Sequence, residues 1–198
     1  MKYEFTGEIK VEFGITLRRI RAAVAFRGIA KGDLGGFIEK EDNLSQAGDA
    51  WVSGDAWVFG DARVSDDAWV SDDARVFGDA QVFGNARVSG DAWVFGDAQV
   101  SGNARVSSDA WVFDDAQYLF IGCIGSRADV TTFYRNKSAG ISVRCGCFCG
   151  TLEAFRVAVK NTHGDTKYAE IYQAAADLAE LQIETEKKAA SADTESGK

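Results

Sequence analysis

The stretch Gly122-Cys123-Ile124-Gly125-Ser126-Arg127, followed by Asp129, is the part of this 198-residue chain best suited to hold an anion. Glycines let backbone N–H groups approach a phosphate, a serine hydroxyl donates, and a guanidinium clamps two oxygens at once. The text is neither a Walker loop nor a dinucleotide fingerprint. A tight hairpin carrying a solvated arginine reads the same way, so both meanings stay open. Thr132, Tyr134, Arg144 and His163 are expected to stand near Gly125, Ser126, Arg127 and Asp129 if the segment folds as a small sheet. His163, the only histidine, precedes Gly164 and suits a helix C-terminus as well as it suits an acid facing an anion. Cys145, Cys147 and Cys149 alternate, so one strand would put all three on one face, opposite Arg144 and Phe148. That spacing holds sulfurs awkwardly for one tetrahedral ion. Buried free thiols are therefore expected, with no metal, no cofactor and no assigned catalytic residue.

These residues need elements to hold them. The sequence after residue 120 reads as a strand, a turn at residues 125–127, a strand through Tyr134, a turn near residues 137–140 and a strand over 141–148. Two helices follow. Thr151 is a fair N-cap for a helix on which Leu152, Phe155 and Val159 share a face; Tyr168, Ile171, Tyr172, Ala175 and Leu178 mark the second, and Gly164 breaks them. Residues 120–184 thus form a small α+β domain, and the charged, small-residue text over 185–198 reads as a disordered tail. Residues 1–35 hold plausible strands that cap what comes next.

What comes next is a repeat. From Gly48 to Phe113 run eleven hexads of the form [GDS]-[DN]-A-[WRQ]-V-[SF]. Ala and Val lie two apart, so in extended chain both point inward while the residue between them points out. The Gly-Asp pair makes a corner, since Gly accepts positive φ and Asp or Asn tolerates it. So short a strand between corners cannot form hairpins and must wind. Read every eighteenth residue, Ser53, Ser71, Ser89 and Ser107 make one column and Phe59, Phe77, Phe95 and Phe113 another. Three hexads per coil follow, spanning residues 36–119, with Ile38, Leu44 and Ala50 as degenerate first hexads.

The Val-[SF]-[GDS]-[DN]-Ala-[WRQ] text resembles the left-handed parallel β-helix of hexapeptide-repeat proteins, and that resemblance implies the handedness and a mainly β fold. It also implies a three-fold assembly. The face bearing Trp57, Phe59, Phe77, Trp93, Phe95, Trp111 and Phe113 is too apolar for water and is expected to be the homotrimer interface. Acyltransferases of that family use a histidine as base; the hexads contain none. The segments LRRIRA, GDLGGFIE, IGSR, RCGCFCGTLEAF and THGD resemble a set of proteins encoded by temperate phages and prophages, which implies action in the cytosol of a bacterial host.

Charge narrows the partners. The net charge is −8, and the repeat carries most of it: residues 41–117 hold fifteen Asp or Glu against four Arg. Residues 1–40 and 118–165 are each +3. A nucleic acid polymer is therefore disfavoured, whereas a small anion is drawn to the basic flanks. The acidic columns at the corners invite calcium, but carboxylates that cap neighbouring N–H groups need no metal. No apolar run reaches membrane-spanning length. The combined expectation is an oligomeric, non-catalytic protein that binds a phosphorylated small molecule, nucleotide-like, and sequesters it; a trimeric spacer and an acyltransferase-like enzyme are the alternatives.

Overall fold

The computed structural model describes residues 1–183; the tail read over 185–198 lies outside them. The described chain divides into two units. The first comprises residues 1–109 and 113–115, and the second residues 110–112 and 116 onward.

In the first unit the hexads wind as their period requires. β1 (Tyr3–Glu12), β2 (Ile15–Ala22) and β3 (Leu34–Ile38) precede a run of two-residue strands from β4 (Trp51–Val52) to β13 (Arg105–Val106), and the next such strand, β14 (Trp111–Val112), is counted with the second unit. Each hexad pairs in parallel with the one eighteen residues on: Trp51 with Trp69, Trp57 with Arg75, Arg63 with Gln81. The ladder bonds are regular, as from the Trp57 N–H to the Ala74 carbonyl at 2.9 Å. Every Ala and Val of the hexads in this unit is 0–1% exposed, so the interior is a column of small aliphatic groups. Three methyl-bearing layers per coil suffice because the prism is narrow, and burial of that apolar area is what holds it.

The first position of each hexad explains the [GDS] choice. Its backbone is left-handed whatever the residue: Gly78 has φ 70°, Asp72 61° and Ser108 59°. Asp66 and Asp72 use their carboxylates there to accept the N–H of Gly84 and Gly90 at 3.0 Å, one coil along. Asp115, one place later in its corner, likewise accepts the Gln99 N–H at 2.7 Å. At the second position Asp73 and Asp91 are exposed and Asp49 and Asp67 are half-buried.

The N-terminal strands do not merely cap the coil. β1 and β2 form a hairpin turned by Phe13 and Gly14, both at positive φ, and β2 pairs antiparallel with β3. β3 then pairs in parallel with the hexad of Trp57, so the solenoid sheet continues into the hairpin. Ile38, Leu44 and Ala50 are fully buried. A Cβ on Gly35 would come 2.8 Å from the Trp51 ring, so only glycine lets β3 cross there.

The second unit is an antiparallel sheet in chain order, β15 (Tyr118–Ile124), β16 (Asp129–Arg135), β17 (Ile141–Cys145) and β18 (Phe148–Thr151), with α1 (Leu152–His163) and α2 (Lys167–Gln182) on one face. Thr151 caps α1, its Oγ1 accepting the Ala154 N–H at 3.2 Å, and Gly164 ends it. Phe133, Val143, Phe155, Tyr172, Ala176 and Ala179 form the core. Two expectations are corrected here. The strand over 141–148 is broken by a hairpin at Gly146 (φ 57°), so Cys145 pairs with Phe148 and the three cysteines do not share a face. Cys147 and Cys149 are exposed rather than buried. On α2 the buried stripe is Ala169, Tyr172, Ala175, Ala176 and Ala179, whereas Ile171 and Leu178 face solvent. No helix among the described residues is long and apolar enough to cross a membrane.

Candidate functional site

The turn between β15 and β16 places Gly125, Ser126 and Arg127 together. Cys123, Gly125 and Ala128 all take positive φ, which curls the backbone tightly. The ring of Tyr172 lies directly on Gly125, where a Cβ would fall inside it. The Tyr172 hydroxyl bonds with Ser126 and Cys145, and burial, then Cys145, raises its pKa above the ordinary 10.0. Thr131 Oγ1 donates to Cys145 Sγ at 3.2 Å. His163 stacks on Tyr172 with ring centroids 5.5 Å apart and planes 27° apart. Arg127 is exposed, with its guanidinium alongside Gly146. Among the described residues it makes no ion pair.

The eight residues expected to bind an anion are parted by the pleat of the sheet. Gly125, Ser126 and Arg127 share the turn, and His163 reaches it through Tyr172. Asp129 binds its neighbour, accepting the Val130 N–H at 2.7 Å. Thr132, Tyr134 and Arg144 stand on the face away from the helices, because Thr131, Phe133, Val143 and Cys145 occupy the helix side and successive residues alternate. Thr132 and Tyr134 are fully buried. Tyr172, Thr131 and Cys145 were not foreseen in this neighbourhood; helix spacing marked Tyr172 as a core residue but not where its hydroxyl would go.

The aromatic face of the first unit is the second candidate. Phe59, Phe77 and Phe95 stack at 4.9 and 5.0 Å with planes within 6°, and Phe113 follows at 5.5 Å, tilted by 38°. Trp93 lies on the same face; Trp111 belongs to the second unit. Trp57 is only 7% exposed because Leu17 and Phe37 of its own chain cover it. Beside the stack, Phe13 and Ile15 of the hairpin and Trp57, Phe59, Phe77 and Trp93 of the coil enclose a groove of about 340 Å³. Its single polar lining residue is Arg75, with its guanidinium carbon 4.4 Å from the Trp57 ring and 5.0 Å from that of Trp93. Lys10 Nζ lies 4.7 Å from the Trp57 ring. Neither cation was singled out from sequence, because each reads alone as an ordinary outward-facing residue.

Among the described residues no group of three or more His, Cys, Asp or Glu is placed to hold a metal ion. A family model described as the YdcK beta solenoid repeat matches residues 80–96 and 98–114. The two matches begin eighteen residues apart, the length of one coil in the structure. The chain is a β-solenoid repeat protein. No curated protein matches it. The solenoid has about four turns, and the α+β unit follows it.

Proposed function

We propose that this solenoid protein is a non-catalytic binding protein that associates with copies of itself, most simply as a homotrimer, through the face of its phenylalanine stack. The observation that carries the reading is that stack, a wall of parallel rings on one side of a prism whose other outward positions are mainly Ser, Arg and Gln. Rings left half-exposed in register favour burial against a like surface. Assembly would display several α+β units at once. In each, the turn at Gly125, Ser126 and Arg127 would take a phosphorylated small molecule of nucleotide type, drawing on its left-handed backbone and an arginine with no ion pair. Sequestration of such a signal in a bacterial host, by a protein of phage origin, is the physiological role this arrangement suits. The use of the solenoid as a spacer that grips another protein is the competing reading.

The test is mass and binding measured side by side. Sedimentation equilibrium should give an oligomer for the native chain. Phe77→Ser with Phe95→Ser should reduce it to monomer while far-UV circular dichroism is retained. Arg127→Ala should leave the mass unchanged and weaken binding of a nucleoside phosphate. A monomeric native chain would remove the assembly reading.

A further inference from the structure

The groove beside the phenylalanine stack combines two things that rarely coexist: walls that are otherwise wholly apolar and a cation with nothing to answer it. The faces of the Arg75 guanidinium are occupied by Trp57 and Trp93, and Lys10 approaches Trp57 as well. Among the described residues the side chains of Arg75 and Lys10 make no ion pair and no hydrogen bond. Carboxylates are not scarce on this part of the chain. Nearby cations have found them: Arg19 with Glu8 and Asp55, Arg21 with Glu4, Lys40 with Asp61. Keeping a half-buried cation against apolar walls without a counter-charge costs free energy that an arriving anion recovers. The two indoles also fix the plane of the guanidinium, which leaves its N–H edge as the place where an acceptor must come, two oxygens at a time. A volume of about 340 Å³ is at the small end of ligand sites.

We infer that this groove binds a flat aromatic anion: the ring lies against Phe13, Phe59 and Phe77, and a carboxylate or phosphate meets the N–H edge of Arg75, with Lys10 adding attraction. Neither the turn at Gly125 nor self-association is needed for this. A second copy closing over the same face would instead have to bring a carboxylate of its own to Arg75.

Calorimetric titration of the full chain with indole-3-carboxylate and with adenosine 5′-monophosphate separates the two anion types, and indole and adenosine serve as their neutral counterparts. At least one anion should bind, with its neutral counterpart roughly tenfold weaker or more. Arg75→Gln, which keeps a planar amide but loses the charge, should weaken that anion about ten- to hundred-fold. Arg75→Lys should fall between, and Arg87→Gln, on a different sheet of the coil, should change nothing. Circular dichroism shows whether the variants are folded, and Lys at position 75 serves if Gln disturbs the coil. Equal affinity for neutral and charged probes overturns the inference, as does an anion indifferent to Arg75→Gln. Loss of binding in Arg127→Ala alone moves the anion to the turn. Absence of binding by either anion at millimolar concentration, with a fall in mass in Arg75→Gln, makes the counter-charge a second copy's and refutes a small ligand while leaving self-association standing.

Discussion

Lys2 and Tyr3 are neighbours in sequence, and the structure treats their titrations in opposite ways. Lys2 is 6% exposed, with Nζ donating to the Ala50 carbonyl at 2.8 Å; burial, opposed by Asp49 and Asp67, pushes its pKa down to about 8. The Tyr3 hydroxyl, 2.9 Å from the Leu44 carbonyl, is pushed up to about 12 by burial and then by Glu41. Between pH 8 and the ordinary 10.5 of lysine, unfolded Lys2 holds a proton that the folded form has lost, so stability rises with pH. Between the ordinary 10.0 of tyrosine and 12, folded Tyr3 keeps a proton that the unfolded form has lost, so stability falls. Urea denaturation across this range should therefore show a maximum near pH 10, with Lys2→Met flattening the rising limb and Tyr3→Phe the falling one. Gly125 gives a second prediction at this scale. Its φ of 69° and the ring of Tyr172 against it leave no room for a Cβ, so Gly125→Ala should destabilise the second unit by about 3 kcal/mol. A melting temperature equal to the native one would contradict that packing. Sequence marked Gly125 as a turn glycine, but the tyrosine lying on it comes from 47 positions further along the chain and sends no local signal.

At the scale of elements, legibility follows locality. The hexads were read correctly because each carries its own corner, its own inward pair and its own ladder partner eighteen residues away. A sharp consequence is that whole coils are removable and single hexads are not. Deletion of residues 72–89 should bring Phe95 over Phe59 and leave a shorter, folded solenoid with a lower melting temperature. Deletion of residues 78–83 alone removes less buried surface, yet it moves Phe95 onto the face of Ser53 and Ser71 and should melt lower still. If the smaller deletion proves the more stable, registry between coils is not what holds the stack. The cysteine strand shows the opposite case. Alternation over residues 145–149 looked like one strand, and Gly146 instead turns the chain back, because a left-handed φ at one glycine outweighs a pattern of weakly apolar thiols. The hairpin of β1 and β2 was expected as a cap; its antiparallel pairing into the solenoid sheet, which sets Phe13 and Ile15 beside Trp57, has no repeat to announce it.

For the whole molecule, the acidic repeat and the basic flanks pull salt dependence in different directions. Self-association through phenylalanine rings is apolar and should change little between low and high salt. Binding of an anion at Arg75 should weaken as salt rises, since Lys10 and Arg75 act partly through open solvent. Sedimentation and calorimetry at two ionic strengths would separate them; an oligomer that dissociates in salt would place charge, not rings, at its interface. The sequence alone determined the solenoid: three hexads per coil, Ala and Val inward, Gly, Asp or Ser at each left-handed corner. It could do so because parallel stacking repeats one local geometry, so each eighteen-residue period carries the same instruction. Only the tertiary structure decided which candidate residues meet. Ser126 and Cys145 meet at Tyr172 while Thr132, Tyr134 and Arg144 turn away, and Arg75 lies between two indoles under a hairpin from the other end of its unit. Those meetings depend on pleat parity and on contacts between distant segments, and no spacing along the chain encodes either one.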